Sequence, residues 1–127
     1  NLNQKVFLST IISDAVEKKK IVLETSLDSE KDYVHIDDVI ETIIKISTKG
    51  KNKIYNIAAG KNLTNEQIVN KIQVVTSCKL EIIKNAKKYS FPPINIDTIQ
   101  NEFKFKPRIV LDEIEALIKL NSNKRLN

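Results

Sequence analysis

Apolar and polar positions along the chain alternate between helical and extended periods. In "KVFLSTIISDAVEKK" the apolar residues are Val6, Phe7, Leu8, Ile11, Ile12, Ala15 and Val16, the three-and-four spacing of a helix with one buried stripe. "IVLET" then predicts a strand from its β-branched character, and "SLDSE", residues 26–30, predicts a polar loop. "DYVHI" predicts a strand ending at Asp37 and Asp38. Beyond it Val39, Ile40, Ile43, Ile44 and Ile46 return to helical spacing.

The following unit repeats this grammar. "GKNKIYNIAAG" predicts a turn, a short buried strand and a glycine exit, and "LTNEQIVNKIQVV" predicts a helix. Thr64 and Gln67 stand at capping-box distance, with Leu63 placed to staple against Ile68. "CKLEIIK" predicts another strand. Pro92 and Pro93 interrupt regular structure, and "DTIQNEF" opens a second box with Asp97 and Gln100. After Pro107, "IVLDEIEALIKLN" predicts a closing amphipathic helix with Asp112 and Glu113 near its positive end, and the tail "SNKRLN" should fray. Alternating strands and helices predict an α/β or mixed α+β fold. No repeat or linker divides residues 1–127.

Composition narrows the class. The 127 residues are 41% hydrophobic and 29% charged, near globular norms. Aromatic residues make up only 6%, which leaves the interior to isoleucine, valine and leucine. The net charge of +5 is carried almost wholly by lysine, Arg108 and Arg125 being the arginines. Specific nucleic-acid readers use arginine's bidentate fork, so the basic balance fits an anionic small ligand or solubility better than nucleic acid. Cys78 is the lone cysteine and excludes an internal disulfide or a thiolate metal cluster. With no long apolar run and no signal pattern, a soluble cytoplasmic protein is expected. Methionine is absent, position 1 included, and the chain is expected to be a fragment of a longer polypeptide.

Candidate chemistry is sparse. Asp37 and Asp38 lack the further oxygen ligands a divalent ion requires, so no metal site is expected. Asp38 precedes Glu41 at capping-box distance and is expected to cap a helix starting at Val39. His35 reads as a core or interface histidine, having no serine or cysteine marked as a nucleophile partner. Cys78 reads as a small hydrophobe. The lysine runs read as solvated faces, except that Lys87 and Lys88 border the proline loop, where an anion could be gripped. Gly50 and Gly60 are the only glycines, too few for a phosphate-cradling loop.

Taken in order, "KDYVHIDDVIETIIKI", "KIYNIAAGKNLTNEQIVNKI" and "INIDTIQNEFKFKPRIVLDEIEALI" resemble the C-terminal half of an extended short-chain dehydrogenase/reductase of the NAD-dependent sugar-nucleotide epimerase/dehydratase family. There a strand of the type Arg-Asp-Tyr/Phe-Val-His/Tyr-Val leads into Asp-Asp-Val and a helix. A Tyr-Asn-Ile-Gly strand and a Thr/Ser-capped helix follow, and then an Asp-led turn precedes a proline and the last helix. The resemblance covers nearly the whole chain.

It implies the substrate-binding portion of an NAD(P)-dependent nucleotide-sugar epimerase, dehydratase or reductase, whose missing N-terminal Rossmann half would hold NAD or NADP. Such enzymes use a Tyr-x-x-x-Lys pair. Here Tyr33, Tyr55 and Tyr89 are followed four places on by Asp37, Ala59 and Pro93, so no catalytic residue is expected in this fragment, nor a bound cofactor. Lys31 stands where the family has a phosphate-binding arginine and keeps its charge without the fork. Lys87 or Lys88 comes nearest a second such arginine. Tyr33, His35, Asp38 and Asn56 are implied to be structural at a seam where residues 31–60 pack on the Rossmann half. "SLDSE" replaces a glycine-rich turn, and "EFKFKP" lacks the usual glycine and tryptophan. The implied partners are a nucleotide-sugar and the missing domain, with self-association of the fragment possible and no membrane. Two other readings stay open: a freestanding basic nucleic-acid module, and a regulatory domain that kept the fold without the chemistry.

Overall fold

The structure is a computed structural model describing residues 6–123. Its elements are α1 (Phe7–Glu17), β1 (Lys20–Thr25), β2 (Glu30–Asp32), α2 (Ile36–Lys49), β3 (Asn62–Thr64), α3 (Asn65–Thr76), β4 (Lys79–Lys87), α4 (Asp97–Phe103) and α5 (Val110–Asn123). This is the mixed α/β arrangement that the alternating periods predict. The chain forms two compact units, the first from Asn1–Ser29, Thr64–Tyr89 and Glu113–Asn127, the second from Glu30–Leu63 and Ser90–Asp112.

In the first unit β1 and β4 form a parallel pair. Strand β1 alternates as expected for a sheet covered on one face: Ile21 and Leu23 are buried while Lys20, Val22 and Glu24 are exposed. The core is built from Ile11, Ile12 and Ala15 of α1, Ile68, Val69 and Ile72 of α3, and Ile114 and Ile118 of α5. Burying one such side chain contributes about 1.5–3 kcal/mol. Helix α3 begins as its sequence dictates. The Gln67 amide donates to Thr64 Oγ1 at 3.2 Å, and Gln67 Oε1 accepts from the Thr64 amide at 2.9 Å, a complete capping box. The register runs from Lys20↔Lys79 to Leu23↔Ile82 and then jumps to Thr25↔Lys87. Asn85, at φ 60°, lies in the extra length.

The second unit has a small core of Ala58, Ile96 and Ile99, with Ile46, Tyr55, Phe103 and Phe105 packed against it. Strands β2 and β3 pair as a two-stranded ribbon.

Several expectations are corrected. The strand over "DYVHI" reaches only Glu30–Asp32, because β3 offers three residues to pair with and His35 is already the N-cap of α2. "YNI" is not a strand. It has no partner among the described residues, and Ile54 is 80% exposed. On α2 the residues Ile36, Ile40, Ile43 and Ile44 are exposed, while Asp38 and Thr42 of the same helix are buried. Asp38 does not cap, since α2 starts at Ile36 and the cap is the His35 ring accepting from the Asp37 amide at 3.1 Å. Helix α4 starts at Asp97 without a side-chain cap bond. Asn95 Oδ1 takes the Asp97 amide instead, at 2.8 Å. Ser122 and Asn123 are helical, not frayed, and the rest of that tail lies outside the described residues.

Candidate functional site

In the second unit, Lys31 lies in the middle of β2, fixed by its neighbours. Asp32 Oδ1 and Oδ2 accept the backbone amides of Ala59 and Gly60 at 2.8 and 2.7 Å, pinning the loop after "YNI" to the strand. Gly60 sits at φ 77°, and a Cβ there would meet Ile96 Cδ1 at 2.7 Å, so only glycine suits both the backbone and the space. On the other side of Lys31, the Glu30 carbonyl accepts the Phe91 amide and the Glu30 carboxylate accepts the Ser90 hydroxyl at 3.0 Å. The Lys31 ammonium lies 5.2 Å from the centre of the Tyr33 ring, a cation–π contact that holds it over the strand. The Tyr33 hydroxyl is buried with no partner among the described residues, and burial pushes its pKa up. Tyr33 also lines a crevice of about 190 Å³ with Ala59, Lys61, Leu63, Pro107 and Ile109.

His35, Asp38 and Asn56 belong to the frame of this unit. The His35 ring caps α2. Its Nδ1 also lies 3.7 Å from Asp37 Oδ2, but the 3.1 Å bond from the Asp37 amide needs an unprotonated Nδ1, and this shorter contact fixes the tautomer. Asp38 accepts the Arg108 amide at 2.7 Å and pairs with the Arg108 guanidinium, which also reaches Glu41 at 3.5 Å. Asn56 Nδ2 donates to the Asn95 carbonyl at 3.0 Å.

Lys87 and Lys88 lie in the first unit, at the end of β4 and just beyond it. Their backbone is stitched to the "SLDSE" loop. The Ser26 amide donates to the Lys87 carbonyl at 3.0 Å, and the buried Ser29 hydroxyl accepts from the Tyr89 amide at 3.0 Å. Asn65, buried at the head of α3, donates to Thr25 Oγ1 and the Ser26 carbonyl. Lys88 pairs with Asp28 at 3.0 Å. The same unit carries a cleft of about 500 Å³ between α1 and β1, lined by residues including Phe7, Asp14, Lys18, Lys20, Val22 and Glu24.

The fold thus brings Lys31 together with Tyr33, and Lys87 together with Lys88, in separate units. Among the described residues no group of His, Cys, Asp and Glu is arranged to hold a metal ion. Sequence reasoning passed over Asp32, Ser26, Ser29 and Asn65. Asp32 was within reach, because an acid beside Lys31 and a lone glycine downstream are the ingredients of a side chain clamping a tight loop.

A model of the NAD dependent epimerase/dehydratase family matches residues 2–58. Among solved structures, the chain is similar to a dTDP-glucose 4,6-dehydratase of Bacillus anthracis in complex with NAD. The TM-score is 0.81 at 20% identity, over 95% of this chain and 40% of that one. It is also similar to an ADP-L-glycero-D-manno-heptose-6-epimerase of Helicobacter pylori, with TM-score 0.75 at 20% identity over 97% and 38%. A third similar structure is MoeE5 in complex with UDP-glucose and NAD, with TM-score 0.75 at 13% identity over 96% and 42%. No curated protein matches. The resemblance carried by the three sequence motifs is borne out, and the fold is that of part of a sugar-nucleotide epimerase or dehydratase. The chain spans about two fifths of the length of those solved structures.

Proposed function

We propose that this chain is the substrate-binding portion of an NAD(P)-dependent nucleotide-sugar epimerase, dehydratase or reductase, with the catalytic tyrosine and lysine and the cofactor site supplied by a Rossmann portion outside it. The observation that carries the reading is the inverted helix α2. Ile36, Ile40, Ile43 and Ile44 recur at helical spacing on one side and are exposed, while Asp38 and Thr42 are buried. An apolar stripe facing water on an otherwise amphipathic helix marks a surface made to be covered. Ile54, in a strand-like segment with no strand to pair with, gives the same indication. Residues 31–60 are therefore the seam, with Tyr33, His35, Asp38 and Asn56 as its frame.

In this reading Lys31 in the second unit, and Lys87 and Lys88 in the first, are each candidate cations for the substrate's phosphates. Lysine supplies a point charge where arginine would supply a fork, so the contact sets charge more than orientation. The α1–β1 cleft, at about 500 Å³, has room for a nucleotide-sized group. The described residues do not fit the nicotinamide cofactor. Both glycines serve packing, since a Cβ on Gly50 would meet the Ile46 carbonyl oxygen at 2.5 Å and one on Gly60 would meet Ile96. No amide cradle remains for a dinucleotide, and the chain's own task is to bind and orient the sugar nucleotide.

Calorimetric titration with UDP-glucose, and separately with duplex DNA at two salt concentrations, tests this. Saturable sugar-nucleotide binding weakened by Lys31→Gln is expected. Steeply salt-dependent DNA binding without sugar-nucleotide binding would replace the reading with that of a basic nucleic-acid module.

A further inference from the structure

We propose that Asp28 is a built-in competitor for the phosphate-binding cation Lys88, so that an anionic substrate must displace a carboxylate the fold has already set there. This inference rests on the reading of Lys88 given above. It starts from the loop "SLDSE", which the resemblance does not explain.

Asp28 is positioned from both ends. Ser26 Oγ donates to Asp28 Oδ1 at 2.6 Å, leaving Oδ2 to meet the Lys88 ammonium at 3.0 Å. Ser26 is itself tied to the strand that carries Lys88, through its amide on the Lys87 carbonyl at 3.0 Å. Its hydroxyl lies 3.1 Å from that of Ser29, and Ser29 in turn accepts the Tyr89 amide. The acid and the base are thus held on two stitched segments of one unit.

The pair is built to open. Side-chain exposure is 64% for Asp28 and 55% for Lys88, so water hydrates both charges as they part and the pair is weakly held. The Ser26 hydroxyl and then the Lys88 ammonium hold the Asp28 carboxyl below its ordinary range, so it is charged at neutral pH. A monoanion gains nothing by replacing a carboxylate on Lys88. A multiply charged diphosphate gains the stronger attraction, and the pair therefore acts as a charge filter favouring diphosphates.

The test is an NMR titration with inorganic pyrophosphate, read at the neighbouring Tyr89 amide, for the wild-type chain, Asp28→Asn, Asp28→Ser, Lys88→Gln and the double variant Asp28→Asn/Lys88→Gln. Both Asp28 variants should tighten binding roughly two- to fivefold, Lys88→Gln should weaken it, and the double variant should match Lys88→Gln alone. Lys88→Gln weakening binding while neither Asp28 variant tightens it would overturn the competitor and leave Lys88 as a ligand. Lys88→Gln without effect in either background would overturn the assignment of Lys88, and this inference with it.

Discussion

Asp38 accepts the backbone amide of Arg108 at 2.7 Å and pairs with the guanidinium of the same residue, so one buried carboxylate joins the first turn of α2 to the segment leading into α5. Asp38→Ala should cost about 1–2 kcal/mol, chiefly by stranding the Arg108 backbone amide, since the Arg108 side chain is 39% exposed and its guanidinium can be hydrated. Asp38→Asn, which keeps one acceptor for the amide, should cost less. Urea denaturation midpoints measure both, and an alanine variant as stable as the parent would show that the pair is dispensable.

Gly60→Ala should destabilise by about 1–3 kcal/mol, because alanine is strained at positive φ and its Cβ would press on Ile96. Asp32→Asn should cost a comparable amount by offering an amide donor to one of the two backbone amides it now accepts. Thermal unfolding reads each, and the two losses should not add, since both act on one loop.

Charging the exposed stripe of α2 should change association more than stability. Ile40→Glu with Ile43→Lys removes no buried side chain, so unfolding should shift by no more than about 0.5 kcal/mol per site. Binding of an apolar dye and self-association in sedimentation velocity should both fall. A large loss of stability would mean that the stripe is already covered.

Acid should loosen the turn after α2. Glu102 accepts from the Lys51 amide at 2.8 Å, Asn52 Nδ2 at 2.6 Å and Tyr55 Oη at 2.9 Å. Burial acts to raise its pKa, but these donors outweigh it and hold the carboxyl below its ordinary value of 4.5. A group depressed in the folded state stabilises it above its unfolded pKa, and that contribution is lost as pH falls through the folded value. Protection factors at the Lys51 and Asn52 amides, measured against the intrinsic exchange rate at each pH, should therefore fall below about pH 4.5, and Glu102→Gln should show low protection at every pH. Protection in the parent that stays constant down to pH 3 would count against the clamp.

The elements that sequence located well are those decided within a few residues. Thr64 and Gln67 find each other across one helical turn, and of the residues that the α1 spacing names Ile11, Ile12, Ala15 and Val16 are buried, while Val6 at the helix edge is exposed. The strand over "DYVHI" failed because strand length depends on a partner, and β3 is three residues long. Asp38 was read as a cap because an acid before a helix and an acid three residues on look alike whether or not the helix has already begun.

For the proposed site, sequence pointed to Lys31, Lys87 and Lys88 by type and order. It could not see that Asp28 lies on Lys88, because those residues are 60 positions apart and only the parallel pairing of β1 with β4 brings their loops together. Period, capping and turn chemistry are local, so the chain alone determined the order of helices and strands, the apolar composition of the core and the family resemblance. Which face of α2 meets protein and which meets water, and which carboxylate holds which cation, are decided by long-range contacts, and only the tertiary structure could decide them.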